Sequence, residues 1–305
     1  MDVRRLELLR ELADRGSITA VAQATHRTPS GVSQQLKRLE QEAGVPLTAR
    51  VGRGIQLTDA GEALAETARR IALATAEAES LWQEFTRSPT GTVTLTTFPT
   101  GGQMLLPGLL TRLVDEPGLE VVVTDHDLAL PDFAELTPDF DVVIADSQGV
   151  PRHWSERGLT VVPLMVEPFD IAMPEDHPLA QKKVIRPADV VGASWIGSPV
   201  GYPYDRVHDA LAAVTGRAPR IVQRVMDNLI VEALVAAGVG LAILPRFTTR
   251  SHGNGLVTRP IAGVAAERQI SAILRADRAA RPSVRRVVQL LREEAELVSA
   301  RYRTP

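Results

Sequence analysis

Through the first 45 residues, apolar side chains return every three or four positions, the period of amphipathic helices, and small turn residues interrupt them at close intervals. Leu6, Leu9, Leu12 and Ala13 form the stripe of a first helix that Gly16 ends. Ser17 opens a short second helix through Val21 and Ala22, and His26 and Arg27 make a turn. Thr28 is placed to cap a third helix, with Pro29 at its first position and Gly44 at its stop. On that helix Val32, Leu36, Leu39 and Ala43 share one sector, while Ser30, Ser33, Gln34, Lys37 and Gln41 share the opposite one. The first set requires a core. The second offers hydroxyls, amides and a cation able to reach base edges and phosphate oxygens. From Leu47 to Leu57, two short strands flank the turn Val51, Gly52, Arg53 and Gly54, which lifts Arg53 outward as a wing. Helix, helix, tight turn, helix and wing is a DNA-reading arrangement.

From Thr58 to Arg87 the pattern becomes one long helix without an internal proline. Leu64, Ala68, Ile71, Thr75, Ala78, Trp82 and Phe85 follow steps of four and three, a coiled-coil seam with small residues near its middle. Such a helix of about 28 residues spans roughly 42 Å. Its single narrow stripe requires a partner, either a second copy of the chain or its own C-terminal half. Ser88, Pro89, Thr90 and Gly91 then break it as a hinge.

The remainder alternates strands and helices. Strands are expected at Val93 to Phe98, Leu119 to Val123, Asp141 to Ala145, from Phe169 to Met173, at Trp195 and Ile196, from Val222 to Val225 and from Val239 to Pro245. Asp141 to Ala145 is continuously apolar after its first residue, in the manner of a parallel sheet. Helices are expected at Met104 to Val114, Asp205 to Val214, Asn228 to Ala237 and Ser283 to Ala300, the last presenting Val287, Leu290, Leu291 and Leu297 to a core. This alternation implies an α/β sheet with right-handed crossovers.

The N-terminal part resembles the LysR-type transcriptional regulators. The likeness is carried by Gly16, Ser17, Ile18 and Ala22, by Thr28, Pro29, Ser30, Val32 and Ser33, by Leu39, Glu40, Gly44, Leu47 and Arg50, and by Leu57, Thr58, Ala60 and Gly61. Ile18 and Thr48 depart from it, standing where the family usually has phenylalanine; Thr48 removes an apolar anchor beneath the wing. The likeness continues, more loosely, through Leu106 and Pro107, Glu116 and Pro117, Asp139 to Ala145, Pro163 and Leu164, His177 and Pro178, and Gly238, Gly240, Leu244 and Pro245. The resemblance implies a winged helix-turn-helix over 1–58, a dimerisation linker helix over 59–88 and an effector-binding domain over 89–305. That domain would be α/β and built like periplasmic binding proteins: lobe I about 92–164 and 269–305, lobe II about 165–268, one cleft between them. It further implies a homodimer, favours a tetramer, and makes the partner double-stranded DNA with an inverted-repeat operator.

Expected DNA contacts are Arg27, Thr28, Ser30, Ser33, Gln34, Lys37, Arg38, Arg50 and Arg53. Ligands of open α/β sheets sit beyond the carboxyl ends of strands, near helix N-termini. Thr97, Pro99, Thr100, Gly101, Gly102 and Gln103 fill that junction after the first strand of the C-terminal half, the glycines exposing backbone amides. Ser198, Pro199, Gly201 and Tyr202 form a loop in the facing lobe, and Asp227 with Asn228 caps the next helix. Thr100 and Asn228 also suit plain N-caps. Asp127 and Asp146 follow strands; at the cleft mouth they would favour a ligand bearing an amino group.

Charge sharpens the first reading. His26 to Arg53 is net +3 inside a chain of net −3, and the local value matters to DNA. The absence of cysteine excludes a thiol switch, disulfides and Cys-ligated metal. No stretch approaches the roughly 20 apolar residues of a membrane span, and the start lacks a signal-peptide core, so the expected place is the cytoplasm. Gly238 to Ile243 lacks the third glycine of a dinucleotide fingerprint, and Gly192, Ser194 and Gly197 miss the nucleophile-elbow spacing. Asp125, His126 and Asp127 read as a solvated loop rather than a metal site, and no cofactor is expected. The competing class, a binding protein or enzyme carrying a helical N-terminal domain, would need an export signal or a catalytic constellation.

Overall fold

The computed structural model describes residues 1–52, 54–86, 89–126, 133–250 and 253–302, with the backbone alone for 83–86. Arg53, Ser88 and Asp127, and the side chain of Phe85, lie outside the described residues. The N-terminal domain is α1 (Val3–Arg15), α2 (Ile18–Ala24), α3 (Pro29–Ala43) and an antiparallel hairpin of β1 (Thr48–Val51) and β2 (Gly54–Leu57). Ser17 caps α2 and Thr28 caps α3 through their hydroxyls. His26 takes a left-handed φ of 51° in the turn between them. Gly44 stops α3 at φ 73°, where a side chain would be strained.

Leu6, Leu9, Leu12, Val21, Val32, Leu36, Leu39 and Leu47 close one small core, and Ala65 and Ala68 of α4 (Asp59–Thr86) complete it. The first turns of α4 thus share this core, and the seam expected along the helix is corrected accordingly. Leu64, Ala68 and Ile71 pack into this core, while Ala76 and Ser80 are buried on the same chain, Ser80 accepting a hydrogen bond from Arg285. Ala78 is exposed and Trp82 is 66% exposed, so the exposed apolar strip begins only in the second half of the helix.

The C-terminal half runs β3 (Gly91–Thr97), α5 (Pro99–Arg112), β4 (Leu119–Asp125), β5 (Val142–Ser147), α6 (Arg152–Glu156), β6 (Leu159–Pro174), β7 (Ser194–Gly197), α7 (Asp205–Thr215), β8 (Arg220–Arg224), α8 (Asn228–Ala236), β9 (Leu241–Pro245), β10 (Leu256–Pro260), β11 (Glu267–Arg275), α9 (Ala276–Ala279) and α10 (Pro282–Arg301). One sheet has the order β4-β3-β5-β11-β6; the other continues from the far half of β6 through β9, β7 and β8, with β10 on its edge. β6, 16 residues long, belongs to both sheets and is the first crossover; the chain returns through the start of β11. Pairing is mixed, since β5 runs parallel to β3 but antiparallel to β11. The purely parallel character expected of Asp141 to Ala145 is corrected by that neighbour. α10 returns to lobe I and packs Val284, Val287, Leu291 and Ala295 on Leu95, Leu105 and Ile144; Leu297, expected inside, is 45% exposed. Lobe II buries Trp195, Ile171 and Ile243 on one sheet face and Ile196, Val231 and Leu244 on the other.

The two halves of the chain meet through charge. Arg10 of α1 reaches Asp277 at 2.7 Å, Arg15 reaches Asp139 at 2.7 Å, and Arg275, at the end of β11, reaches Glu11 at 3.1 Å and Asp14 at 3.4 Å. Burial pushes the Glu11 and Asp277 carboxyls up, but neighbouring arginines outweigh it and hold both below their ordinary values.

Candidate functional site

Two sites emerge. On α3, buried Val32, Leu36 and Leu39 fix the helix, and Arg5 of α1 clamps it from behind, its Nε donating to Gln35 at 3.1 Å and its guanidinium paired with Glu42. Arg27, Thr28, Ser30, Ser33, Gln34, Lys37, Arg38 and Arg50 are all exposed. Thr28 Oγ1 accepts from Gly31 N at 3.1 Å and lies 3.2 Å from Ser30 Oγ, so these two hydroxyls serve the helix start. Arg27, Ser33, Gln34, Lys37, Arg38 and Arg50 make no side-chain hydrogen bond or ion pair with other described residues and leave their donors open to an external partner. The wing is anchored despite the missing aromatic. Glu40 Oε1 accepts from Leu47 N at 3.0 Å, Thr48 N at 2.9 Å and Thr48 Oγ1 at 2.9 Å, so Thr48 exchanges apolar packing for hydrogen bonds.

The second site is the floor between the lobes. Phe98 occupies the N-cap position of α5 and supplies no side-chain hydrogen bond; Pro99 is the first helical residue. Thr100 is therefore not the cap, and its Oγ1 accepts instead from Arg268 Nη2 at 2.7 Å. Arg268 is 2% exposed. It sits directly opposite Glu167 across the β6–β11 ladder, and both Nε (2.8 Å) and Nη2 (2.6 Å) donate to Glu167 Oε2. Glu167 Oε1 accepts from Phe247 N at 3.2 Å. Asp146, at the carboxyl end of β5, is reached among the described residues only by Arg268 Nη1 at 3.4 Å. The guanidinium carbon lies 4.7 Å from the Phe98 ring centroid, 5.6 Å from Phe169 and 5.9 Å from Tyr204, so it touches lobe I and lobe II together. Burial works against the Arg268 charge, but Glu167, Tyr204 and Asp146 outweigh it and raise the pKa further. Burial likewise pushes the Tyr204 phenol up.

Other expected cleft residues scatter around this floor. Thr97 is buried, its hydroxyl donating to Phe98 O at 3.1 Å, and Gln103 and Pro99 are exposed. Gly101 is required by packing rather than to bare its amide, since a Cβ there would stand 2.8 Å from the Phe98 ring and from Thr97 Oγ1. In lobe II, Ser198 Oγ is buried without a partner among the described residues, Gly201 N faces Asp205 at 3.4 Å, and Tyr202 donates to Met226 Sδ at 3.1 Å. The cap of α8 is Asp227 alone; Asn228 is the first helical residue and its Nδ2 donates to Tyr204 Oη at 3.3 Å, which ties it to the floor. His126 Nδ1 pairs with Thr96 Oγ1 at 2.9 Å, and among the described residues no three His, Asp or Glu gather as metal ligands.

The sequence alone does not single out Glu167 and Arg268. The available signal is a charge directly beside a short apolar run, Glu167 after Leu164 to Val166 and Arg268 shortly before Ile270 to Leu274, where charges are rarely buried unless paired.

Comparison with known proteins places both halves of the chain in one family. Residues 3–62 match the family described as "Bacterial regulatory helix-turn-helix protein, lysR family", and residues 86–296 match "LysR substrate binding domain". The Hca operon transcriptional activator HcaR of Escherichia coli is 27% identical over 268 residues, 86% of this chain and 88% of that one. A full-length OxyR variant of Pseudomonas aeruginosa shares the fold at TM-score 0.65 and 20% identity, covering 97% of this chain and 98% of its own. CbnR, solved in complex with its target DNA, superposes at TM-score 0.54 with 26% identity over 97% of this chain and all of its own. This chain belongs to the LysR family and is a transcriptional regulator with a helix-turn-helix domain and a substrate-binding domain.

Proposed function

We propose that the protein binds an inverted-repeat operator as a homo-oligomer in the cytoplasm and changes its DNA complex when a small molecule enters between lobes I and II. The observation that carries the DNA half is the face of α3. Ser33, Gln34, Lys37 and Arg38 stand exposed and unpaired among the described residues, on a helix whose other side is buried. A side chain that gives up no internal bond brings its full hydrogen-bonding capacity to a groove. Arg27 and Arg50 flank the helix and serve phosphates. The exposed strip of α4, with Ala78, Leu81 and Trp82, supports pairing with a second copy. Two copies with two-fold symmetry would read two half-sites. Thr100, Asp146 and Asn228 support the effector half, because Thr100 and Asp146 touch Arg268 and Asn228 touches Tyr204 beside it, and Ser198 follows β7 at the carboxyl end of a lobe II strand.

The test is fluorescence anisotropy on DNA from upstream of the protein's own gene and its neighbours, repeated at several salt concentrations. Saturable binding with a steep salt slope, weakened and flattened in Lys37→Ala, is expected. An unchanged titration in that variant would remove α3 as the reading element. In a promoter reporter, Thr100→Val is expected to lose the ligand response.

A further inference from the structure

The charges on the floor do not balance, and their imbalance names a ligand class. Arg268, Glu167 and Asp146 bring one positive and two negative groups together, with side chains at most 2% exposed. Glu167 is satisfied: one oxygen takes two guanidinium donors and the other takes the Phe247 amide. Asp146 has, among the described residues, only the 3.4 Å contact, through a guanidinium already committed to Glu167. The surplus negative charge therefore resides on Asp146. The N-terminus of α5 contributes roughly half a positive charge nearby, too little to cancel a full unit. A second group on the facing lobe is also unfinished, since Ser198 Oγ is buried with no described partner on the loop after β7. Asp146 stands at the carboxyl end of β5 and Ser198 directly after β7, each on a strand with a parallel neighbour, where α/β sheets receive ligands.

We infer that the inter-lobe site takes an effector with a protonated amine, whose ammonium pairs with Asp146 while its polar remainder meets the Ser198 side of the cleft. This rests on the reading of the cleft as the effector site. It turns the under-compensated carboxylate into the recognition element and leaves the Arg268–Glu167 pair as the hinge tie beneath it. An anionic effector would instead have to share Arg268 with Glu167 while adding charge beside Asp146.

Thermal melting of the full chain tests this with three four-carbon probes at constant ionic strength: 1,4-diaminobutane, 4-aminobutyrate and succinate. The expected result is an upward shift with one or both amines, none with succinate, and loss of the shift in Asp146→Asn. A shift with succinate alone overturns the inference. The unliganded protein decides the matter even where none of the three fits the cleft. Removing a surplus buried charge should raise the melting temperature of unliganded Asp146→Asn by about 2–4 °C. A lower melting temperature would show that Asp146 is an internal partner of Arg268 and that no cation is awaited. Operator binding by the wild-type chain is read on the same preparation. Its absence would sink the regulator reading while leaving the melting result to stand on its own.

Discussion

The outer face of α3 and the floor of the cleft draw on similar polar side chains and use them in opposite ways. On α3, Ser33, Gln34, Lys37 and Arg38 are exposed and bonded to no other described side chain. On the floor, Thr100, Glu167 and Arg268 are buried and bonded to one another from elements far apart in sequence. The difference follows from what each surface meets. A DNA groove is polar and charged along its whole length, so free donors lose little by waiting in water. A small cleft between two lobes cannot hold bare charges, because an unpaired buried ion costs several kcal/mol. The floor therefore neutralises most of its own charge, and what it leaves uncompensated is informative in a way an exposed lysine is not.

Opening the floor should cost the protein most. Glu167→Leu leaves the buried Arg268 guanidinium with the Thr100 hydroxyl and, as its one remaining described carboxylate, Asp146 at 3.4 Å, and should cost about 3–5 kcal/mol in urea unfolding. A loss under about 1 kcal/mol would mean that water reaches the pair and that the floor resembles the α3 face after all.

A buried ring without hydrogen bonds marks the other extreme. His208 of α7 stands edge-on to Trp195 at 5.1 Å with neither ring nitrogen bonded among the described residues, and burial brings its pKa down from 6.5 to about 4. The unfolded chain then takes the proton first. Stability attached to this ring is complete above pH 6.5, falls as the pH drops, and bottoms out below about 4, a change of about 3 kcal/mol. Carboxylates such as Glu11 and Asp277, held low by arginines, lose their contribution in the acid range as well. The measurement is therefore the difference in unfolding free energy between wild type and His208→Leu across pH 4 to 7, which should grow toward neutral pH. A difference that stays constant would place water at the ring.

The same contrast decides what can be read from the chain alone. α3 is legible because its cap, stripe and stop lie within seventeen residues and obey one period. The floor is only half legible. Thr100 and Asp146 can be placed from strand ends, but β6 is readable only in its apolar second half because Pro163 and Pro168 interrupt the run. β11 escapes the pattern because it opens on Glu267, Arg268 and Gln269. Charged residues at strand starts look like loop until the opposing Glu167 is known, and that pairing is tertiary. The outward charges of α1 mislead in the same way. Arg10, Glu11 and Arg15 have the pattern of a solvated face, yet they bind Asp277, Arg275 and Asp139.

On the exposed face the expected effects are smaller and fall on binding rather than stability. Gln34→Ala should cost about 1–3 kcal/mol against the preferred operator and much less against unrelated DNA. Lys37→Ala should weaken both alike and lower the salt slope by about 1. Identical losses for the two variants on every sequence would mean that Gln34 touches phosphate.

Thr28 lies where the two modes of use overlap, and the smallest effect is expected there. Its hydroxyl holds the Gly31 amide at the start of α3, yet the residue is exposed on the DNA-facing end. Thr28→Ala should remove about 1 kcal/mol of stability through the lost cap, and Thr28→Ser should restore it, because serine caps as well as threonine. DNA affinity measured on the same pair separates the roles. If Ser recovers stability and affinity together, the hydroxyl acts by fixing the first turn that presents Ser33 and Gln34. If Ala binds DNA normally despite melting earlier, Thr28 belongs to the framework and the contact surface begins one turn further along the helix.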